Sequence, residues 1–501
     1  IGGFGVGGHA QGDSIGADVE NLRGSSFDDS LTGSAVANRL QGSNGHDTLI
    51  GLAGDDVLEG EDHNDILIGG AGADVLDGGA GLDTADYMGS AIGVSVNLGT
   101  GVGSSGDAQG DTLIGIENLA GSALGDTLMG NGAANVLDGR GSNDLLRGGA
   151  GADTLIGGDG VDTASYGGSL GSVNVSLATG LGSGGDAQGD TLTGIENLAG
   201  SIKADVLAGN DGVNALQGFA GNDLLRGGAG ADALDGGADV DTASYFESAA
   251  GVSVSLLTGT GVGGNAQGDT LLAIENISGS SLGNDILTGT GGANTLRGWG
   301  GDDVLYGGAG ADTLEGGAGI DTASYYNAAS GVVVGLESGG GSVNDALGDK
   351  LTGIENLSGS QGHDALYGDA GANVLQGWNG NDTLLGGIGK DTLSGGAQGD
   401  RFYFELGDSV VGANADVITD FSHAQGDKID LSLIDADTGV FSDQEFNFIG
   451  TALYSGTAGE LRYAVNGGVT TIAGDVDGDG SSDFHIQLTG MIGLVASDFT
   501  L

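Results

Sequence analysis

Carboxylates recur along this chain at a step of nine residues. In the first run they stand at Asp29, Asp47, Asp56, Asp65, Asp74 and Asp83, with Asn38 in the second place. The step returns at Asp126, Asn135, Asp144, Asp153 and Asp162, then at Asp205, Asn214, Asp223, Asp232 and Asp241. It returns again at Asp285, Asn294, Asp303, Asp312 and Asp321, and at Asp364, Asn373, Asp382, Asp391 and Asp400. The full spelling of the unit is Gly-Gly-x-Gly-x-Asp-x-apolar-x, shown twice in a row by GGAGADTLI and GGDGVDTAS over 148–165. A carboxylate is a hard oxygen ligand, and calcium takes about 6–8 oxygens. Glycine lets a tight turn adopt positive φ and brings carbonyl oxygens close to an ion. The chemistry predicted is calcium binding in a turn, with each of these aspartates a metal-ligand candidate. Asn is a neutral oxygen ligand, so its place reads either as a weaker site or as a stacked hydrogen-bonded ladder.

These turns need elements to hold them. The x-apolar-x tail is a short strand with one inward side chain, such as Leu155 or Ala164. Two units then make one coil of a flattened parallel helix, so that ions and apolar residues both stack along its axis. The step holds over roughly 27 units. A disordered glycine-rich linker keeps no apolar residue at a fixed offset from Asp. The predicted fold is all-β: a parallel β-roll or β-solenoid with longer spacer coils and a C-terminal β cap.

The bulk numbers agree. With 112 Gly, no Pro, no Cys and a net charge of −57, the chain repels itself and disfavours a compact metal-free state. Nucleic acid and anionic membranes are excluded as partners for such a surface. Roughly 20 to 30 calcium ions would bring about +50, so binding and folding should be one event. The chain should be unfolded at cytosolic calcium and folded at millimolar calcium. Aromatics are only 5 %, which predicts a thin core built one layer at a time. The absence of Cys excludes disulfides and thiol chemistry. There is no apolar run of about 18 residues to span a membrane. No N-terminal signal peptide is visible. Ile1 is not an initiator Met, which predicts a processed or longer product.

Residues 1–22 match the second half of a longer block, GTGVGSSGDAQGDTLIGIENL at 99–119, and lack its preceding strand. They read as a partial spacer coil whose edge is either exposed or completed from outside this sequence, for example by a second subunit. Repeat runs occupy 23–83, 121–162, 200–241, 279–321 and 359–400, separated by spacers at 84–120, 163–199, 242–278 and 322–358. In the first spacer, alternation at Val94, Val96 and Leu98 predicts a strand, with Leu113, Ile116 and Leu119 also inward. Aromatics enter after Asp400, and 401–501 reads as a capping β domain with a secretion signal, since an uncovered sheet edge invites aggregation.

The nonapeptides resemble the repeats-in-toxin (RTX) family of exported bacterial proteins. The GDAQGDTLxGIENLxGS blocks look like spacer coils of its large members. DVITDFSHAQGDKIDLS and GDVDGDGSSDFHIQLTG resemble the C-terminal domain of serralysin-type proteins. The resemblance implies type I secretion from a Gram-negative bacterium, an uncleaved signal near Met491–Leu501, and folding on extracellular calcium. The zinc protease domain of serralysins has no counterpart here.

Asp475, Asp477, Asp479 and Asp483, with Gly480, match the first part of a calcium loop, the alternative being a plain polar turn; Ile486 stands where its bidentate Glu would be. In the spacers, Asp107 and Asp111, Asp186 and Asp190, Asp269, and Asp345 and Asp349 read either as an extra ion site per block or as solvated turns. Glu117, Glu196, Glu275 and Glu355 recur too, and an enzyme needs one site rather than one per coil. The histidines form no H-E-x-x-H pattern, and neither a G-x-S-x-G elbow nor a phosphate loop is present. Trp299 and Trp378 occupy matching turns and read as surface aromatics, or as contacts for sugar or protein. No catalytic residue and no cofactor besides Ca2+ is expected. The function expected is a secreted, calcium-folded structural protein of an extracellular layer, filament or adhesive stalk, with itself as main partner and a cell-surface polysaccharide as another. The alternative is the export and folding module of a larger secreted lyase, epimerase or protease.

Overall fold

The structure, a computed structural model, describes residues 19–439 and 444–501. Most of the partial coil expected at 1–22 therefore lies outside the described residues. The chain forms two compact units: residues up to 243 with 268–274, and 244–267 with 275–501.

In the first unit a repeat run is a pair of facing parallel sheets. A strand pairs not with its neighbour in sequence but with the strand one coil later. Arg39–Asn44 lies in register on Val57–Asp62, and that strand on Val75–Ala80. The intervening strands Thr48–Ala53, Ile66–Ala71 and Thr84–Asp86 build the second sheet in the same way. One side chain per strand points inward: Leu40, Leu58 and Leu76 from one sheet, Leu49, Leu67 and Ala85 from the other, all fully buried. Burying one Leu contributes on the order of 2 kcal/mol, so the apolar core of each rung is thin. The turns stack as closely as the strands. Gly70 has φ 94°, and a Cβ there would overlap the Leu52 carbonyl of the preceding coil.

The spacer is more than a longer coil. Ser95–Asn97 folds back as an antiparallel hairpin on Val102–Ser104, which pairs with Thr112–Ile114; the last strand then rejoins the stack in parallel with Val75–Ala80. Gly101 closes the hairpin at φ 66°. Val94, Val96, Leu113, Ile116 and Leu119 are buried, as their pattern predicts, while Leu98 is half-buried where the chain leaves the strand. The hairpin recurs as Asn174–Ser176 with Leu181–Ser183. Strands that match in sequence fall in opposite sheets in successive blocks: Val136–Gly141 in one, Ala215–Ala220 in the other.

In the second unit Thr295–Gly300, Thr313–Ala318 and Lys350–Thr352 stack in one sheet. Asn356–Ser358, Val374–Gln376 and Thr392–Ser394 stack in the other. The stack runs on past Asp400: Arg401–Glu405 lies on Thr383–Leu385, and Asp416–Ile418 on Thr392–Ser394. Glu460–Asn466, Val469–Asp475 and Phe484–Thr489 form an antiparallel meander. Its last strand covers Asp416–Ile418, and Phe499–Thr500 covers Lys428–Leu433. Among the described residues no helix is long and apolar enough to cross a membrane.

Candidate metal centres

Each repeat aspartate in the body of a run is buried, and its two oxygens have different fates. Oδ1 accepts the backbone N–H of the residue eighteen positions earlier: Asp29 N–H donates to Asp47 at 2.7 Å, Asp47 to Asp65 at 2.7 Å, and Asp65 to Asp83 at 2.7 Å. Oδ2 has no hydrogen-bond partner in Asp47, Asp56, Asp65, Asp74, Asp83, Asp144, Asp153, Asp162, Asp223, Asp232, Asp303, Asp312, Asp321, Asp382, Asp391 or Asp400. Asp241 is buried in the same register and caps Asp223 N–H.

The first glycine of each unit makes room for that second oxygen. A Cβ at Gly42 would overlap Asp47 Oδ2 and lie 2.8 Å from the Gly60 carbonyl oxygen. At Gly51 it would overlap Asp56 Oδ2 and stand 2.5 Å from Gly69 O. A carboxylate oxygen and a carbonyl oxygen from adjacent coils thus face a space that only a glycine leaves open. The donors are all hard oxygens, a set that suits calcium rather than zinc or copper. Left without a counter-charge, the carboxylates resist ionisation. Burial, with neighbouring aspartates adding repulsion, pushes Asp74, Asp144, Asp153, Asp223 and Asp400 up to about 7 and Asp382 up to about 8. The residues present fit a row of divalent ions.

Two positions in each run are built differently. The leading aspartates carry their own hydrogen bonds. Ser122 N–H donates to Asp126 Oδ2 at 2.6 Å while Val94 N–H donates to Oδ1 at 2.6 Å. Asp205, Asp285 and Asp364 repeat this with Ser201, Ser280 and Ser360, and Asp29 accepts from Ser25. In the second position the amide bridges. Asn135 Oδ1 accepts from Asn131 N–H at 2.8 Å, and Nδ2 donates to the Glu117 carbonyl at 2.7 Å. Asn214, Asn294 and Asn373 make the same bond to Glu196, Glu275 and Glu355. The amide donates to a backbone carbonyl, which neither the ladder nor the weak-site reading of the sequence anticipates.

The profile of the RTX calcium-binding nonapeptide repeat matches the chain in overlapping segments that span 15–86, 120–164, 208–243, 280–323 and 351–411, just over half of its length. The chain belongs to this RTX repeat family. RTX repeats imply calcium binding, and the unpartnered Oδ2 atoms mark where this chain offers it. No curated protein matches the chain.

In the RTX spacers the carboxylate ladder continues on other residues. Asp111 Oδ1 caps Asp74 N–H at 2.9 Å, and its Oδ2 accepts the buried Tyr87 hydroxyl at 3.2 Å. Asp190 pairs likewise with Tyr166, and Asp349 with Tyr325. Asp269 caps Asp232 N–H at 2.9 Å. Glu117, Glu196 and Glu355 cap Asp83, Asp162 and Asp321 N–H. Asp107, Asp186 and Asp345 sit in short 3-10 turns away from the ladder.

Beyond the RTX runs, ligand oxygens of Asp475, Asp477 and Asp483 lie within 4.8 Å of one another. Asp475 is buried and accepts Gly478 N–H at 2.7 Å and Gly480 N–H at 3.0 Å. Asp479 stands outside that cluster, its N–H donating to Asp477. Sequence reasoning missed Asp416 and Asp427. Asp416 caps Asp391 N–H and leaves Oδ2 unpartnered; Asp427 caps Asp400 N–H and accepts Ser422 N–H on its other oxygen. The signal was the bare Asp-x-apolar of Asp416-Val417-Ile418 and Asp427-Lys428-Ile429, without the Gly-Gly-x-Gly spelling before it.

The two tryptophans are pinned rather than scattered. Trp299 Nε1 donates to Ser278 Oγ at 2.8 Å with its ring edge-on to Phe246, and Trp378 Nε1 to Ser358 Oγ at 2.8 Å beside Tyr326. In the first unit one matching place is Phe219 and the other Arg140, whose guanidinium forks onto Asp86 with two 2.8 Å bonds. Trp299, Trp378 and Arg140 each tie a repeat run to the spacer before it.

Proposed function

We propose that this RTX protein is a secreted structural protein that folds on extracellular calcium and builds an assembly outside a bacterial cell, as a surface layer, filament or adhesive stalk. The family is typically secreted by bacteria. We further propose type I export from a Gram-negative cell and a serralysin-type C-terminal domain over 401–501, on the strength of the DVITDFSHAQGDKIDLS resemblance. The observation that carries the reading is the row of buried carboxylates with one unpartnered oxygen in every run. Uncompensated buried charge costs several kcal/mol per group, so a stack with so many needs the ion in order to fold. The same environment repeats along the chain instead of converging on one place, which favours a non-catalytic role. Self-association is the proposed mode of assembly, with cell-surface polysaccharide as a second contact.

Electron microscopy and circular dichroism of the purified chain, with and without a chelator, test this. Ordered fibres or sheets that dissolve as the β signal collapses are expected. Calcium-loaded monomers with no ordered assembly would instead favour a folding module of a larger secreted enzyme. A β signal unchanged by chelation would sink the calcium reading itself.

A further inference from the structure

We propose that Asp111, Asp190 and Asp349 of the spacer coils bind no calcium: a buried tyrosine hydroxyl stands on each where a repeat aspartate takes an ion, so calcium loads the repeats in separate blocks. The inference rests on the calcium reading of the repeats.

The set Asp312, Asp349 and Tyr325 shows the substitution. Asp349 follows Asp312 in the ladder and caps its N–H at 2.8 Å, as one repeat aspartate caps another. Asp312 leaves Oδ2 unpartnered. Asp349 does not, because the Tyr325 hydroxyl donates to its Oδ2 at 2.9 Å from a ring that is 3 % exposed. A second observation is independent of that bond. The glycine cradle is gone. Five residues before Asp312 stands Gly307, where a Cβ would overlap Asp312 Oδ2; five before Asp349 stands Asn344, whose side chain bonds the Gly331 carbonyl.

The first unit repeats the arrangement. Tyr87 and Tyr166, both 2 % exposed, hold Asp111 and Asp190. There the residue five places back is Gly106 or Gly185, and a Cβ would meet Ser90 or Ser169 Oγ rather than the carboxylate. A hydroxyl supplies one donated hydrogen bond and no charge, so it satisfies a single oxygen without drawing in the several oxygens that calcium requires. These coils therefore keep their polar groups paired when calcium falls, while the runs between them do not.

Bound calcium in the full chain, folded at saturating calcium and counted by atomic emission after equilibrium dialysis, decides the matter. Asp349→Asn is expected to hold as many ions as the parent, and Asp312→Asn to lose one. Loss of an ion in Asp349→Asn overturns the proposal. An unchanged count in Asp312→Asn overturns the underlying calcium reading instead. If Asp349→Asn does not fold, an anomalous difference map from parent crystals grown with calcium gives the answer. A peak beside Asp312 Oδ2, with none within about 3 Å of Asp349 Oδ2, supports the proposal; a peak at Asp349 refutes it.

Discussion

Gly42→Ala isolates what the first glycine of a unit does. No positive φ is involved there, so the added methyl acts through space alone. It would overlap Asp47 Oδ2 and come within 2.8 Å of Gly60 O, the two oxygens that bracket the proposed ion. Overpacking of this kind costs about 1–3 kcal/mol. Were about 2 kcal/mol of it to fall on ion binding, affinity at that site would drop roughly thirtyfold. Gly132→Ala is the matched control: the same change in the same unit, where a Cβ meets nothing within 4 Å and φ is ordinary. It should stay within about 0.5 kcal/mol of the parent. Thermal unfolding followed by circular dichroism, over a calcium titration, reads both. The expected result is a lower midpoint for Gly42→Ala that narrows only at high calcium, and an unshifted Gly132→Ala. If the two variants melt together at every calcium concentration, the glycine does not serve an oxygen cradle and the site geometry argued above is mistaken.

Acid should partly replace the metal. Burial raises Asp65 to about 6, Asp74 to about 7 and Asp382 to about 8 against an ordinary 3.8, so folding of the calcium-free chain takes up protons. Their stabilising share is complete below about pH 3.8 and is lost as pH rises through 6 to 8; in chelator the β signal should be stronger at pH 5 than at pH 8, and the opposite order would contradict the burial argument. Arg140→Ala removes a forked, half-buried pair with Asp86 and should cost about 1–3 kcal/mol in a urea titration, with Lys a poor substitute because it cannot form the fork. Asn373→Asp loses the donor to the Glu355 carbonyl and sets a carboxylate against it; a loss of about 1–3 kcal/mol is expected, and an unchanged urea midpoint would mean that the amide bridge is idle.

The sequence carried the repeat in full because each unit is local. Nine residues contain the turn, the ligand and the inward Leu, and strict recurrence tells Leu58 from Val57 without any knowledge of the partner strand. What stayed hidden depends on pairing across distance. Tyr87 meets Asp111 from 24 residues away, through a hairpin whose return is set by glycines that look like those of the turns. Asp416 lies 25 residues after its ladder partner Asp391, off the nine-residue step, and Asp427 lies 27 after Asp400, on the step but with Ser409 and Ile418 at the two places between, so the run looks finished at Asp400. The Ser caps were in plain view four residues before most leading aspartates, at Ser122 and Ser201 for example. Without the structure, nothing marked those serines as hydrogen-bond donors rather than variants of glycine.

Trp299 and Trp378 occupy one place in the sequence pattern, yet the second unit sets them on opposite sheets, at the ends of the rungs Thr295–Gly300 and Val374–Gln376. The two rings of this unit thus look out from opposite sides. A flat neighbour lying along one of those sides would meet one ring and miss the other, so replacing Trp299 and Trp378 one at a time reads the two sides separately.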